Sequence, residues 1–139
     1  MTLYLDTEYN GFGGRLISLA LVSDKDGEFY CVLDLPSKVH PWVAEHVVPF
    51  LMLDAEPDHV FRYRLKHFLD HHSGEEIIAD WPEDFVHLMN CMCEPNGISF
   101  KIELDMRLIN SGDLKPEVPH NALSDARALM HWHKLARAA

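Results

Sequence analysis

The sequence predicts an α/β domain, and three observations carry that prediction. Three segments of strand character precede residue 35, later segments return apolar residues at three- and four-residue spacing, and a short apolar run, Ile77-Ile78-Ala79, sits between two such helical stretches. Strands and helices that alternate along a chain pack as a sheet covered by helices. The chain has 139 residues, of which 47% are apolar and 24% charged, which is ordinary globular usage. One domain over residues 1–139 is expected from that length, with enough buried surface to need no staple.

The first strand is Leu3-Tyr4-Leu5-Asp6-Thr7-Glu8, which alternates and is ended by the glycines at 11, 13 and 14. Leu16 to Ser23 is a nearly unbroken apolar run, and Glu28 to Asp34 follows the turn chemistry of Asp24-Lys25-Asp26-Gly27. Helices are predicted over Pro41–Leu53 and Pro57–Leu69, each with a proline in its first turn; in the second, Val60, Tyr63 or Arg64, and His67 or Phe68 mark the apolar track. His71-His72-Ser73-Gly74 breaks that helix, Glu75 to Asp80 is a short strand, and Pro82 opens a helix to about Cys91. Ile98 to Leu104 is assigned as a further strand, and the prolines at 116 and 119 with Asn110-Ser111-Gly112-Asp113 mark a loop. In the final helix Ala122, Ala126, Leu129, Met130, His133 and Ala136 form one stripe.

Acidic residues outnumber Lys and Arg by 22 to 12, a formal charge of -10, which excludes a module that grips nucleic acid by a broad basic face. It leaves room for an enzyme whose carboxylates hold cations. Three cysteines suggest no disulfide framework and fit a reducing cytoplasm. Without an apolar run of spanning length or a secretory segment, a soluble, unprocessed chain with no membrane partner is expected. The ten histidines invite a zinc site, but Cys91-Met92-Cys93 and His131-Trp132-His133 lack the usual ligand spacing.

Asp6 and Glu8 stand two apart on a strand, so both side chains leave the same face. Two neighbouring carboxylates on a covered sheet face require a compensating cation. Asp80 ends the Ile77-Ile78-Ala79 strand, and Asp84 lies in the first turn of the next helix, where the dipole alone would also favour it. In open α/β sheets ligands bind at the strand ends, which would bring this acid towards Asp6 and Glu8. His120 and Asp125 are five apart, about 140° around a helix, so His120 is placed in the loop ahead and Asp125 in the opening turns. Four separated acids suit two hard divalent cations such as Mg²⁺ or Mn²⁺. A histidine beside them suits the proton transfer of a two-metal phosphodiester hydrolysis at neutral pH.

The D-x-E at Asp6 to Glu8, the Asp after a mid-chain strand at Asp84, and H-N-A-L-x-D-A at His120 to Ala126 make the chain resemble the DnaQ-like 3'→5' exonucleases of the DEDDh type. It is similar in particular to the small stand-alone exoribonucleases, whose Trp-Val-x-x-x-Val helix is matched by Trp42, Val43 and Val47. The likeness extends over most of the chain and is weakest at residues 94 to 119. The resemblance implies a ribonuclease-H-like fold with a central mixed five-stranded sheet flanked by helices, and release of nucleoside monophosphates from a 3' end with two Mg²⁺ or Mn²⁺ ions. By position Asp6, Glu8, Asp84 and Asp125 match the family's metal carboxylates, and His120 its general base.

The loop Tyr9-Asn10-Gly11-Phe12 matches the region that holds the terminal nucleotide, and Thr7 and Asn121, beside the catalytic positions, join Tyr9, Gly11 and Phe12 as substrate-binding candidates. One departure stands out: the family has Asn four or five residues before the helical Asp, and this chain has Asp80. Either Asp80 replaces that residue or it is itself the ligand; Asp84 is favoured. The expected partners are 3' ends of single-stranded RNA or DNA, RNA first, because Arg62, Arg64 and Lys66 form the only compact basic cluster. A homodimer is possible on the pattern of the family. The rival is a catalytically inactive nuclease-fold module that binds a partner through Trp42, Trp81 and Trp132.

Overall fold

The structure is a computed structural model that describes residues 1–94, 96–97 and 99–139. Five strands, β1 (Thr2–Tyr9), β2 (Leu16–Ser23), β3 (Glu28–Val32), β4 (Glu76–Ala79) and β5 (Asp105–Leu108), form one mixed sheet in the order β3-β2-β1-β4-β5. The first three are antiparallel neighbours, and β4 and β5 add in parallel. A short turn suffices between β2 and β3: Ser23 Oγ accepts the backbone N–H groups of Lys25 and Asp26, and Gly27 takes a positive φ of 91°. The parallel additions need crossovers, which the helices supply.

Four α-helices are described, α1 (Pro41–His46), α2 (Asp58–His71), α3 (Pro82–Cys91) and α4 (Ala122–Ala138), and a 3-10 turn over Val48–Phe50. Alternation along β1 divides the core. Leu3 and Leu5 pack with Leu19, Leu21 and Ile77 against Phe61, Leu65 and Leu69 of α2 and Leu88 of α3. On the other face Tyr4 and Ile78 meet Leu129, and Ala20 and Val22 meet Ala122 and Ala126, all from α4. Each fully buried leucine here contributes about 1.5–3 kcal/mol. β1 is therefore central, and its Asp6 and Glu8 share the Tyr4 side, towards α4.

Three expectations are corrected. The helix expected over Pro41–Leu53 stops at His46 and continues only as the 3-10 turn, because Pro49 lacks an N–H and restricts Val48 before it. The buried track of α2 is Phe61, Leu65 and Leu69, one residue out of phase with the expected Val60 and Tyr63; Tyr63 is exposed. The last strand is β5 at Asp105–Leu108, not Ile98–Leu104; Ile98 lies outside the described residues. Phe100, Ile102 and Leu104 pack on the core from a non-strand segment, and the same alternation runs on through Met106 and Leu108 of the exposed edge strand β5, so the period does not mark where pairing begins. Among the described residues no helix is long and apolar enough to cross a membrane.

Candidate active site

The C-terminal ends of β1 and β4 lie side by side, and the first turns of α3 and α4 point at them, as parallel pairing and crossover geometry require. Glu8, His120 and Asp125 each present a nitrogen or carboxylate oxygen, all within 4.8 Å of one another. Asp6, Asp80 and Asp84 do the same within the same limit. Five side chains nominated from three distant stretches of sequence thus meet at one strand end, and Asp80 joins them.

Local chemistry explains each position. Pro82 opens α3, and Thr7 Oγ1 donates to Asp84 Oδ1 at 2.6 Å, which fixes that carboxylate against β1. Asn121 caps α4: its Oδ1 accepts the Ser124 N–H at 3.0 Å, and its Nδ2 donates to the Phe50 carbonyl at 2.8 Å. The preceding His120 has φ of 65°, a left-handed conformation that costs a non-glycine residue about 1–2 kcal/mol. Its backbone N–H donates to the Asp125 carboxylate, so the strained residue and the helix acid hold each other.

Electrostatically the site is uncompensated. Burial, then the neighbouring Asp84, Glu8, Asp125 and Asp80, push the Asp6 carboxyl well above the usual carboxylate range. Burial and Asp125 raise Glu8 to about 9, so near neutral pH Glu8 carries a proton and donates it in a hydrogen bond to Asp125. Burial raises Asp84 to about 7 against the opposing bond from Thr7, and raises Asp125 to about 6 against those from Glu8 and His120. Asp6 Oδ2 and Asp84 Oδ2 are buried with no hydrogen-bond partner among the described residues. A buried acceptor left without a donor costs about 1–3 kcal/mol, and these two belong to one cluster.

A cavity of about 750 Å³ opens over Asp6, Glu8 and Asp84, a size suited to a small organic ligand. Its rim is aromatic: Phe12 is 95% exposed, Trp81 55% and Trp42 47%. The Phe12 loop is pinned on both sides, by Gly13 N–H donating to Glu83 Oε2 at 3.0 Å and by Asn10, whose Oδ1 accepts from His40 N and whose Nδ2 donates to the Lys38 carbonyl. Gly11 has φ of 76°, which glycine adopts without strain. Trp42 meets the His120 ring edge to face, with centroids 5.0 Å apart.

Of the substrate-binding candidates, Tyr9, Gly11 and Phe12 line the cavity. Thr7 lines it too, with its hydroxyl spent on Asp84. Asn121 is not among the residues lining the cavity: it is buried, and its amide is engaged as the α4 cap and loop clamp. Arg62 and Arg64 lie on α2 and are paired with Asp58 and Glu56 rather than facing the cavity. The sequence reading passed over His40 and Glu83; the available signal was adjacency, since each borders a proline that opens a helix beside the site. Trp81, singled out only as a partner-binding aromatic, lines the same cavity.

The donor set fits hard divalent cations: five carboxylates converge in two groups, one of which also holds the His120 ring, and two buried carboxylate oxygens have no hydrogen-bond partner among the described residues. Asp6, Glu8, Asp80, Asp84 and Asp125 are the residues able to hold them. No family model matches the chain, and no curated protein matches it. Fold and site together define an α/β protein with an acid-floored, aromatic-rimmed cavity at the strand ends of a mixed sheet.

Proposed function

We propose that the chain is a metal-dependent 3'→5' exonuclease of the DnaQ-like DEDDh kind, with a ribonuclease-H-like fold, that removes nucleoside monophosphates from single-stranded RNA. One observation carries this reading: the buried, partnerless oxygens of Asp6 and Asp84 lie in a floor of acids that includes Glu8 and Asp125, with no lysine or arginine among the described residues lining the cavity. Asp6, Glu8, Asp84 and Asp125 would hold two Mg²⁺ or Mn²⁺ ions, with Asp80 close enough to share the Asp6 and Asp84 side. When bound, such ions supply activation of the attacking water and charge stabilisation of the leaving oxygen.

The chain's own side chains do the rest. His120, beside Glu8 and Asp125 and braced by Trp42, takes the proton from the attacking water. Phe12 and Tyr9 offer ring faces on which a terminal base stacks, and Gly11 lets backbone approach it. A single strand is the fitting substrate because the two α2 arginines nearest to a basic patch are already engaged with Asp58 and Glu56. Incubation with 5'-labelled single-stranded RNA and Mg²⁺ or Mn²⁺ should shorten it one nucleotide at a time from the 3' end, and EDTA should stop it. Internal cleavage, or no cleavage with either ion, would sink the proposal; strand binding retained in EDTA without cleavage would instead mark an inactive binding module.

A further inference from the structure

The neutral tautomer of one histidine in the cavity is set by the backbone. His40 is the N-cap of α1, and its Nδ1 accepts the Trp42 backbone N–H at 3.2 Å. A ring nitrogen that accepts carries no proton, so the proton of the neutral ring resides on Nε2. His40 lines the cavity above Asp6, Glu8 and Asp84, and its Nε2 has no partner among the described residues. The ring is also held in place: its own backbone N–H donates to Asn10 Oδ1 at 2.7 Å, and a Cβ built on Gly11 would lie 3.7 Å from His40 Cδ2. His40 is therefore joined to the loop that carries Gly11 and Phe12.

An anionic ligand that enters this cavity finds few donors. Among the described lining residues there is no Lys or Arg, the Thr7 hydroxyl is spent on Asp84, and His120 stands with Glu8 and Asp125. His40 Nε2–H is the imidazole donor left over, with its proton fixed in advance. Resting on the exonuclease reading for the identity of the ligand, we propose that His40 is a substrate-binding residue whose Nε2–H donates to a phosphate oxygen of the nucleotide in the cavity. A hydrogen bond to a charged oxygen is among the stronger kinds, so a neutral ring suffices.

His40→Asn separates this role from capping, because asparagine is among the best N-caps and keeps an acceptor for Trp42 N–H while removing the Nε2 donor. Calorimetry with Mg²⁺ present should show adenosine 5'-monophosphate binding to the variant about tenfold more weakly than to the wild type, with adenosine binding unchanged. In the wild-type protein, nitrogen-15 NMR should find His40 as the Nε2–H tautomer, with the Nε2 resonance moved by the monophosphate and not by adenosine; this decides the matter even where the variant folds poorly. Equal monophosphate affinity in variant and wild type, an equal loss for adenosine, or an Nδ1–H tautomer overturns the assignment. If RNA is shortened but His40→Asn binds the monophosphate normally, only the His40 assignment falls. If monophosphate binding depends on His40 while no RNA is shortened, the nuclease reading falls and His40 keeps its role.

Discussion

The charges on α2 and the charges at the end of β1 show two ways for a protein to carry ionised groups. On α2, Arg62 Nε donates to Asp58 Oδ2 at 2.7 Å while Arg62 Nη1 donates to the carbonyls of Cys91 and Cys93, and Arg64 is paired with Glu56 and the Tyr30 carbonyl. Those charges are satisfied within the chain and tie α2 to the segment after α3 and to β3. At the strand end, Asp6, Glu8, Asp84 and Asp125 face one another with burial raising every one of them. The first arrangement is complete as folded; the second reaches its charged state at low cost only when something cationic arrives from outside.

Asp6→Asn tests that contrast most severely. The amide has nearly the shape of the carboxyl but cannot carry the charge that a divalent cation needs. The proposed turnover should fall at least about a thousandfold, since the charge stabilisation at stake is several kcal/mol. The metal-free variant should melt no lower than wild type at pH 8, because a repelling carboxyl has been removed. Turnover within tenfold of wild type would show that the acids are not the machinery.

The next effect is on stability without metal. Asp84 and Asp125 rise from 3.8 to about 7 and about 6 in the folded chain, and Glu8 from 4.5 to about 9. Between the unfolded and folded values the native state binds protons that the unfolded state does not, so the contribution of these groups is fully present only below the unfolded values and is lost as pH rises towards the folded ones. Each such group costs ~1.4 kcal/mol per pH unit within its window. In EDTA the melting temperature should therefore drop steadily from pH 5 to pH 8, and Mg²⁺ or Mn²⁺ should restore it at pH 8 by binding only the folded chain. A melting temperature that is flat or rises over this range would contradict the crowding of acids.

The site was more legible in the sequence than the fold's periphery was. Asp6, Glu8, Asp84, His120 and Asp125 stand out because acids on a central strand and at helix starts conflict with burial, and conflicts of that kind are visible in one dimension. Asp80 stayed ambiguous because residues 80 and 84 both follow β4, and only three-dimensional proximity puts them in the same group with Asp6. Asn121 misled for the opposite reason: beside a catalytic-type histidine, a cap and a substrate ligand have the same residue type, and the decision lies in the Phe50 carbonyl, 71 residues away. β5 was misplaced because the apolar alternation runs from Phe100 to Leu108 without a break, and only pairing with β4 separates the strand from the loop before it. The fixed proton of His40 depended on a backbone N–H two residues on, which no residue pattern displays.

The smallest expected effect comes from the satisfied region and serves as the counterpart to Asp6→Asn. Arg62→Ala removes one ion pair with an exposed Asp58 carboxylate, worth at most about 1 kcal/mol, and the donors to the part-buried Cys91 carbonyl and the exposed Cys93 carbonyl, which water entering the space left by the side chain can partly replace. The loss should total about 1 kcal/mol, or roughly 4 °C in melting temperature for a chain of this size. It should be the same at pH 5 and pH 8, because a guanidinium keeps its charge across that range. Turnover at a temperature where both proteins are folded should be unchanged, since Arg62 does not line the cavity. A variant that melts normally but binds RNA several-fold more weakly would place α2 on the path of the strand, and the helix would then no longer be a region whose charges serve only the fold.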